Sequence, residues 1–484
     1  MKGKIFFSGL ILSFLALNFA KAQNIQFEDA NFKTALLSAS SNNEIAKDVN
    51  GNSVAIDTNG DREISQAEAL NIYYLDISRT QDIKSIKGIE YFTNLIMLNC
   101  NGLSELKSLD VSKNIKLQYL ELSGTGIKTL DVSKNVNLQL LGLNSTEINI
   151  LDISKNINME QLVLDSTGIQ TLDVSKNINL QRLDLRHARI QTLDISKNIN
   201  LQYLDLNGAG IQTLDISKNI NLQRLYLDDT GIQTLDVSKN IKLEELNLSS
   251  TGIKTIDISK NINLQGLNLS SIGIQALDIS KNINLQGVDL SNTEIQALDV
   301  SKNVSLQTLD LSSTGIRTLD VSKNISLLAL GLGSTGIQTL DISKNIDLQM
   351  LVLGSTGIKT LDVSKNINLK YLGLNSTGIQ TLDVSKNNDL EWLALGSTGI
   401  KTLDVSRNIK LTRLDLYGCT GLTSLYMKNG VKKTFGGNDK NYIFDDTNLK
   451  YICCDEDEIA DVKDYMGNRD NLTVTSDCKT ESTK

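Results

Sequence analysis

The stretch Asp57 to Glu68, DTNGDREISQAE, sets oxygen-bearing side chains at alternate positions of a short segment. A hard cation needs several oxygens converging on one point, and alternate residues of a tight loop deliver them. A second concentration of chemistry lies downstream. Arg182, Asp184, Arg186, His187, Tyr203, Asp205, Arg224, Tyr226, Asp228 and Asp229 fall in three stretches set 21 residues apart, and His187 is the sole histidine of the chain. A third group, Tyr371, Trp392, Arg413 and Tyr417, follows the same step. Tyr, Trp and Arg combine large contact area with directional hydrogen bonds, which suits them to anchor an interface. The sequence holds no Ser-His-Asp arrangement, no Gly-rich phosphate loop and no paired carboxylates outside a repetitive ladder, so an enzyme is not expected.

A repeat positions these residues. The aspartate of the LDVS motif recurs fifteen times from Asp110 to Asp404 with a constant step of 21 and no insertion. One copy, Leu117 to Asn137, reads LQYLELSGTGIKTLDVSKNVN, apolar at 117, 120, 122, 127, 130 and 132. Each copy leaves an apolar edge that only its neighbour can cover, so stacking builds one continuous core. Both halves alternate apolar and polar residues at period two, LxL in one and LDV in the other, which predicts short strands on both faces. Counting units that begin near Ile72, Leu95 and Leu449 with the fifteen from Leu117 to Leu411 predicts a weakly curved rod of about 18 coils, roughly 85 Å long at ~4.8 Å per coil.

The first eleven residues of each copy fit LxxLxLxxNxL, and from Ile72 to about Cys454 the chain resembles secreted bacterial leucine-rich-repeat proteins of the 21-residue class. That resemblance implies a β-rich solenoid that presents a long rigid face to a protein or glycan. Threonine, or Ala188, Ala209 and Ile272, stands where asparagine is usual. The asparagine of every SKN, from Asn114 to Asn408, is the candidate to supply the inward amide ladder instead. Ahead of the repeats, the 57–68 segment resembles an EF-hand or dockerin-type calcium loop. The resemblance implies Asp57, Asn59, Asp61, Glu63 through its backbone, Ser65 and Glu68 as ligands of a structural calcium ion, with Arg62 where such loops carry glycine.

At the N-terminus, Lys2 and Lys4 precede the apolar run IFFSGLILSFLALNFA and an Ala-Lys-Ala site before Gln23, the pattern of a secretory signal. The run is short of the ~20 residues a span needs. Losing Lys2, Lys4 and Lys21 moves the net charge from -8 to -11, a poor balance for nucleic acid. The expected organisation is a signal peptide over 1–22, a small helical N-terminal cap over 23–71, the solenoid over 72–426, and an irregular insertion with a C-terminal cap over 427–484. Cys100, Cys419, Cys453, Cys454 and Cys478 sit only in the flanks of the array, and Cys478 is expected to pair with Cys453 or Cys454 and so cross-link the C-terminal cap. The mature chain is expected to be a secreted or cell-surface monomer, with the periplasm as an alternative, and to lack a transmembrane segment.

The two halves of the repeat differ in how faithfully they are copied. In TLDVS the side chains of Thr129, Asp131 and Ser133 are predicted to point outward, forming a uniform ladder. Fourteen lysines and Arg407 run beside the fifteen aspartates, close enough in sequence to offset their repulsion and leave a solvated, charge-balanced face. The LxL half varies, with large residues gathered in the two clusters above and mostly Gly, Ser, Ala or Asn between them. These features predict an exported, non-enzymatic binding or adhesion protein whose ligand, a protein or glycan, meets the clusters. The alternative is a structural or ice- or mineral-templating surface protein that uses the uniform ladder.

Overall fold

The computed structural model describes residues 23–80, 82–433, 442–467, 469 and 471–478. The expected signal peptide and residues 434–441 of the expected insertion lie outside the described residues. Within each copy the three residues centred on the LxL leucine form a strand, from Tyr119–Glu121 through Arg182–Asp184 to Arg413–Asp415. The central leucine points inward and is buried, while its neighbours line the outer surface. Successive strands pair in parallel and in register, Arg182 with Tyr203, Leu183 with Leu204 and Asp184 with Asp205, because a step of 21 returns the same residue to the same level. Among the described residues the sheet has 19 strands. One of them, Ala46–Lys47 of the N-terminal cap, is antiparallel to Tyr74–Asp76 and covers that edge. The remaining 18 are parallel, which agrees with the coil count read from the sequence.

The second strand per coil does not form along most of the array, and this corrects the expectation of strands on both faces. A ladder in the LDV half exists only at the C-terminal end, where Thr402–Asp404, Ser424–Tyr426, Tyr451–Cys453 and Thr473–Thr475 make a four-stranded parallel sheet. There the paired residues are 22 or 27 apart, as in Thr402 with Ser424, Ser424 with Tyr451 and Tyr451 with Thr473.

In place of a second ladder the LDVSKN half is held by side chains. Asn135 Nδ2 donates to the carbonyls of Val111 (3.0 Å) and Asn114 (2.9 Å), both in the preceding coil. The same pair of bonds recurs from Asn114, which reaches Ile89 and Phe92, to Asn408, which reaches Val384 and Asn387. All fifteen asparagines are fully buried. The amide ladder is therefore carried by SKN, as expected. Threonine at the usual asparagine position turns inward as well, Thr125 Oγ1 donating to Leu122 O at 2.7 Å, so the departure from the repeat pattern buries a satisfied hydroxyl.

Both ends are closed. At the N-terminus the helix Ala30–Leu37 starts at Asp29, whose side chain accepts the N–H groups of Asn31 and Phe32. At the C-terminus the disulfide is Cys453–Cys478, and Cys454 is a buried free thiol. Lys433 is buried against Glu458 at 3.2 Å, under the helix Ile459–Met466. No described helix is long and apolar enough to cross a membrane.

Candidate binding face

The first and third residues of each strand face outward, so the variable positions form two columns along one sheet. Arg182, Tyr203 and Arg224 stand in register in the first column, and Asp184, Asp205 and Tyr226 in the second. The structure brings these residues into one network. Arg182 Nη2 lies 2.8 Å from Asp184 Oδ2, and its guanidinium carbon sits 3.8 Å over the Tyr203 ring. Arg186 Nε reaches Asp184 at 3.1 Å and Asp205 at 3.6 Å, and its Nη2 reaches Asp165 at 3.5 Å. Tyr203 donates its hydroxyl to Asp205 at 2.9 Å, and its ring lies 5.6 Å from that of Tyr226. Asp184 is fully covered and Asp205 nearly so.

Electrostatics follow that covering. Burial pushes the Asp205 carboxyl up despite the hydrogen bonds from Asn207 and Tyr203. Burial, and then the neighbouring Asp205, push the Tyr203 hydroxyl up to about 12. Burial opposes the charge on Arg186, but Asp184, Asp165 and Asp205 outweigh it and hold the guanidinium protonated. Asp184 and Asp205 are thus already paired, and what this part of the cluster offers a partner is aromatic surface and partly exposed guanidinium. His187 sits outside this network, on the turn after the strand at φ 53°. A Cβ on Gly208 of the next coil would stand 2.4 Å from His187 Nδ1, so that glycine makes room for the ring. Asp228 accepts a hydrogen bond from Ser249, and Asp229 occupies the equivalent left-handed turn at φ 54°.

The second cluster lies farther along the same sheet. Tyr371, Trp392 and Arg413 are in-register partners on three successive strands. Tyr371 and Trp392 meet edge to face at 4.8 Å, and Arg413 stands 5.1 Å over the indole. Tyr417 is exposed on the turn that follows, its N–H held by Asp415. Between the clusters the first column falls to Gly266, Gly287, Thr308 and Ala329. These small residues floor a trough of about 520 Å³ that runs from Tyr226 and Glu245 to Met350 and Val352. The sequence shows the small residues, but their union with both clusters on one sheet is visible only in the fold.

The uniform face carries a hydrogen bond that the sequence did not suggest. Each ladder aspartate caps its own turn, as Asp131 Oδ1 accepts the Ser133 N–H at 2.8 Å, and this recurs to Asp404 with Ser406. Among the described residues the SKN lysines form no ion pair within 4.0 Å, yet at longer range each still outweighs the neighbouring aspartate, as Lys176 does for Asp173 and Lys323 for Asp320, so the expected offset holds without contact. A two-residue hydrogen bond is closer and better aimed than a flexible lysine three positions on. Two positions after the SKN lysines, Asn388 excepted, stands an exposed Ile or Val.

The 57–68 loop takes a tightly turned form. Asp57 accepts the N–H groups of Gly60 and Arg62, Asn59 that of Asp61, and Asp61 that of Glu63. Arg62 adopts the left-handed φ of 63° that the sixth position requires, so its lack of glycine does not prevent the turn. Glu63 is paired with Lys33 at 2.7 Å. Glu68 is committed to Thr58 through one oxygen and to Ser65 through the other, forming the capping box of the helix Gln66–Ala69. Among the described residues no three His, Cys, Asp or Glu side chains are gathered as a metal would need.

No family model matches the sequence, and no curated protein matches it significantly. Solved structures are similar in fold. The functional domain of InlJ from Listeria monocytogenes, described as including a cysteine ladder, is 26% identical with a TM-score of 0.61, covering 86% of this chain and 85% of that one. A leucine-rich-repeat protein of Leptospira interrogans is 20% identical with a TM-score of 0.63, covering 85% and 97%. A plant peptide hormone receptor solved in complex with RGF2 is 16% identical with a TM-score of 0.61, covering 81% and 75%. The molecule is a leucine-rich-repeat solenoid.

Proposed function

We propose that this chain is an exported binding protein, without enzymatic activity, that seats an extended segment of an extracellular protein in the trough and anchors it at the two clusters. The observation that carries this reading is the trough itself. A floor of Gly266, Gly287, Thr308 and Ala329 lies between raised aromatic and arginine groups on one rigid sheet. Small residues let a partner backbone approach closely, while Tyr, Trp and Arg at the ends supply the contact area that fixes it. The fold neighbours support a binding role, since one was solved holding a peptide hormone and the InlJ fragment is described as a functional domain. A glycan is the second occupant to test, because stacked aromatics with neighbouring carboxylates also suit a sugar.

We further propose that the 57–68 loop takes a structural calcium ion, supported by the left-handed Arg62 and the Asp57 and Asp61 carboxylates on one loop. Binding would draw Glu68 away from Thr58 and Ser65, which limits affinity to the ~10⁻⁴–10⁻³ M range of extracellular modules.

Peptide and glycan arrays probed with residues 23–484, wild type and Gly287→Trp, test the binding reading. A Cβ at Gly287 meets only Thr308 Oγ1, at 3.1 Å, so the indole fills the trough without disturbing the core. Peptide binding by wild type that Gly287→Trp abolishes at unchanged melting is the expected result. Equal binding by both would refute the trough as the site.

A further inference from the structure

Ile115, Val136 and Ile157 begin a row that recurs every 21 residues to Ile409, with Ile or Val at every position except Asn388. Each of these side chains is between 45% and 59% exposed, and none belongs to the buried core. Val136 occupies the second position of a turn closed by the Leu138 N–H on Asn135 O at 3.1 Å. Turns of this kind favour polar residues, Gly and Pro, so an exposed β-branched aliphatic residue contradicts local preference. None of these side chains packs on the buried core. The outward strand positions of the same copies have diverged to Tyr, Gln, Arg, Gly and Trp, yet this turn position has stayed aliphatic. A local rule broken fourteen times without a gain in packing points to a demand from outside the coil.

We propose that this ridge is the interface of a homodimer in which two solenoids lie side by side and parallel, in place of the monomer expected from the sequence. Three observations select a second copy as the occupant. The ridge presents one side chain per coil, and a second copy, with the same repeat, offers an apolar group to every side chain along it. A half-exposed Ile leaves roughly 100 Å² to solvent, so the row presents on the order of a thousand Å², comparable with the ~800 Å² per partner of a standard interface and larger than patches monomers usually leave bare. Charge then fixes the direction. The lysine row, Lys134 and its equivalents, flanks the ridge on one side, and the row of Asn137 flanks it on the other, Asn at eight of fifteen levels with Lys116, Lys242 and Lys410, Ser305 and Ser326, and Asp347 and Asp389 at the rest. A two-fold axis along the rod sets the lysines against this mixed row, in which two aspartates nearly balance three lysines. A two-fold axis across it sets lysine against lysine at every level, which is repulsive. An anionic lipid surface is disfavoured by the aspartate row beyond the lysines and by the net charge of -8.

This inference concerns a different face from the trough and stands apart from the proposed ligand. Sedimentation velocity of residues 23–484 over a concentration series tests it, with circular dichroism melting as the folding control. Wild type should sediment as a dimer, and a variant carrying Ile178→Ser, Ile220→Ser, Ile262→Ser and Ile325→Ser should melt as wild type with its dimer dissociation constant raised at least ~100-fold. Single-cysteine variants Ile157→Cys and Ile367→Cys give a second readout that does not depend on the serine variant folding, since the native free thiols Cys100, Cys419 and Cys454 are buried. Each should form a disulfide with its own counterpart. A wild type that stays monomeric, a dimer untouched by the serine changes, cross-linking only between Ile157→Cys and Ile367→Cys in a mixture, or a monomer that binds phosphatidylglycerol vesicles through the ridge would each overturn the proposal.

Discussion

Asn240 shows what a single residue of the array contributes. Its amide donates to Ile216 O and Asn219 O in the preceding coil. Asn240→Ala should cost on the order of 2 kcal/mol, since two buried hydrogen bonds are lost while each carbonyl keeps a turn bond, Ile216 O from the Asn219 N–H and Asn219 O from the Leu222 N–H. Asn240→Asp should cost more at neutral pH, because a carboxylate then faces both carbonyls. Burial raises the folded pKa of such an aspartate, so the deficit should shrink as pH falls toward ~4, where the protonated acid regains a donor. Denaturant midpoints for both variants at pH 7 and pH 5 check this ordering. The ladder aspartates behave in the opposite sense. Fourteen of them, Asp131 and Asp236 among them, are held below the ordinary 3.8 by hydrogen bonds from the serine two residues on. A depressed folded pKa gives stability that is present above the unfolded value and lost as pH falls through the folded one. The thermal midpoint should therefore decline below about pH 4, and replacing several of these aspartates with asparagine should flatten that decline. The asparagine ladder was legible because the residue is invariant at an inward position of the period. The serine cap was not, since a bond between positions two apart leaves no trace in a 21-residue pattern.

Elements follow the sequence where periodicity and packing agree. The LxL strand is legible because its leucine is buried and its step of 21 meets the next coil in register. The LDV segment has the same alternation, yet it becomes a strand only at Thr402–Asp404 and in the coils beyond. Alternation reports burial, whereas a ladder also needs a neighbour at hydrogen-bonding distance. The caps carry two tests. Cys453 rather than Cys454 pairs with Cys478, a choice that sequence spacing left open. Mass analysis should find this disulfide with Cys454 as a free thiol, and Cys478→Ser should remove ~3 kcal/mol from the cap and speed amide exchange around Leu449. Calcium should raise the melting temperature of chelator-stripped protein, by mass action on the folded state, and the effect should vanish in an Asp57→Ala, Asp61→Ala variant. No response at millimolar calcium would contradict the ligand set implied by the loop.

At the scale of the whole molecule, one rigid sheet sets two partly solvated clusters and a trough along a single line, while the opposite half of each coil carries the amide ladder. That division explains why LDVSKN is copied faithfully and the strand positions drift: one half holds coil to coil, and the other is free to answer a partner. The clusters were legible as residue types on a 21-residue step. The pairing of Arg182 and Arg186 with Asp184 was not, because it depends on side chains folding over the sheet. The proposed binding face is tested most directly by equilibrium binding of a partner captured on the arrays to three proteins of equal melting temperature. These are wild type, a Trp392→Ala, Arg413→Ala variant, and one with Lys239, Lys260, Lys281 and Lys302 replaced by glutamine. The account predicts at least a ~30-fold loss for the Trp392, Arg413 variant, as for an interface hot spot, and little change for the lysine variant. Loss confined to the lysine variant would contradict it and assign binding to the uniform ladder.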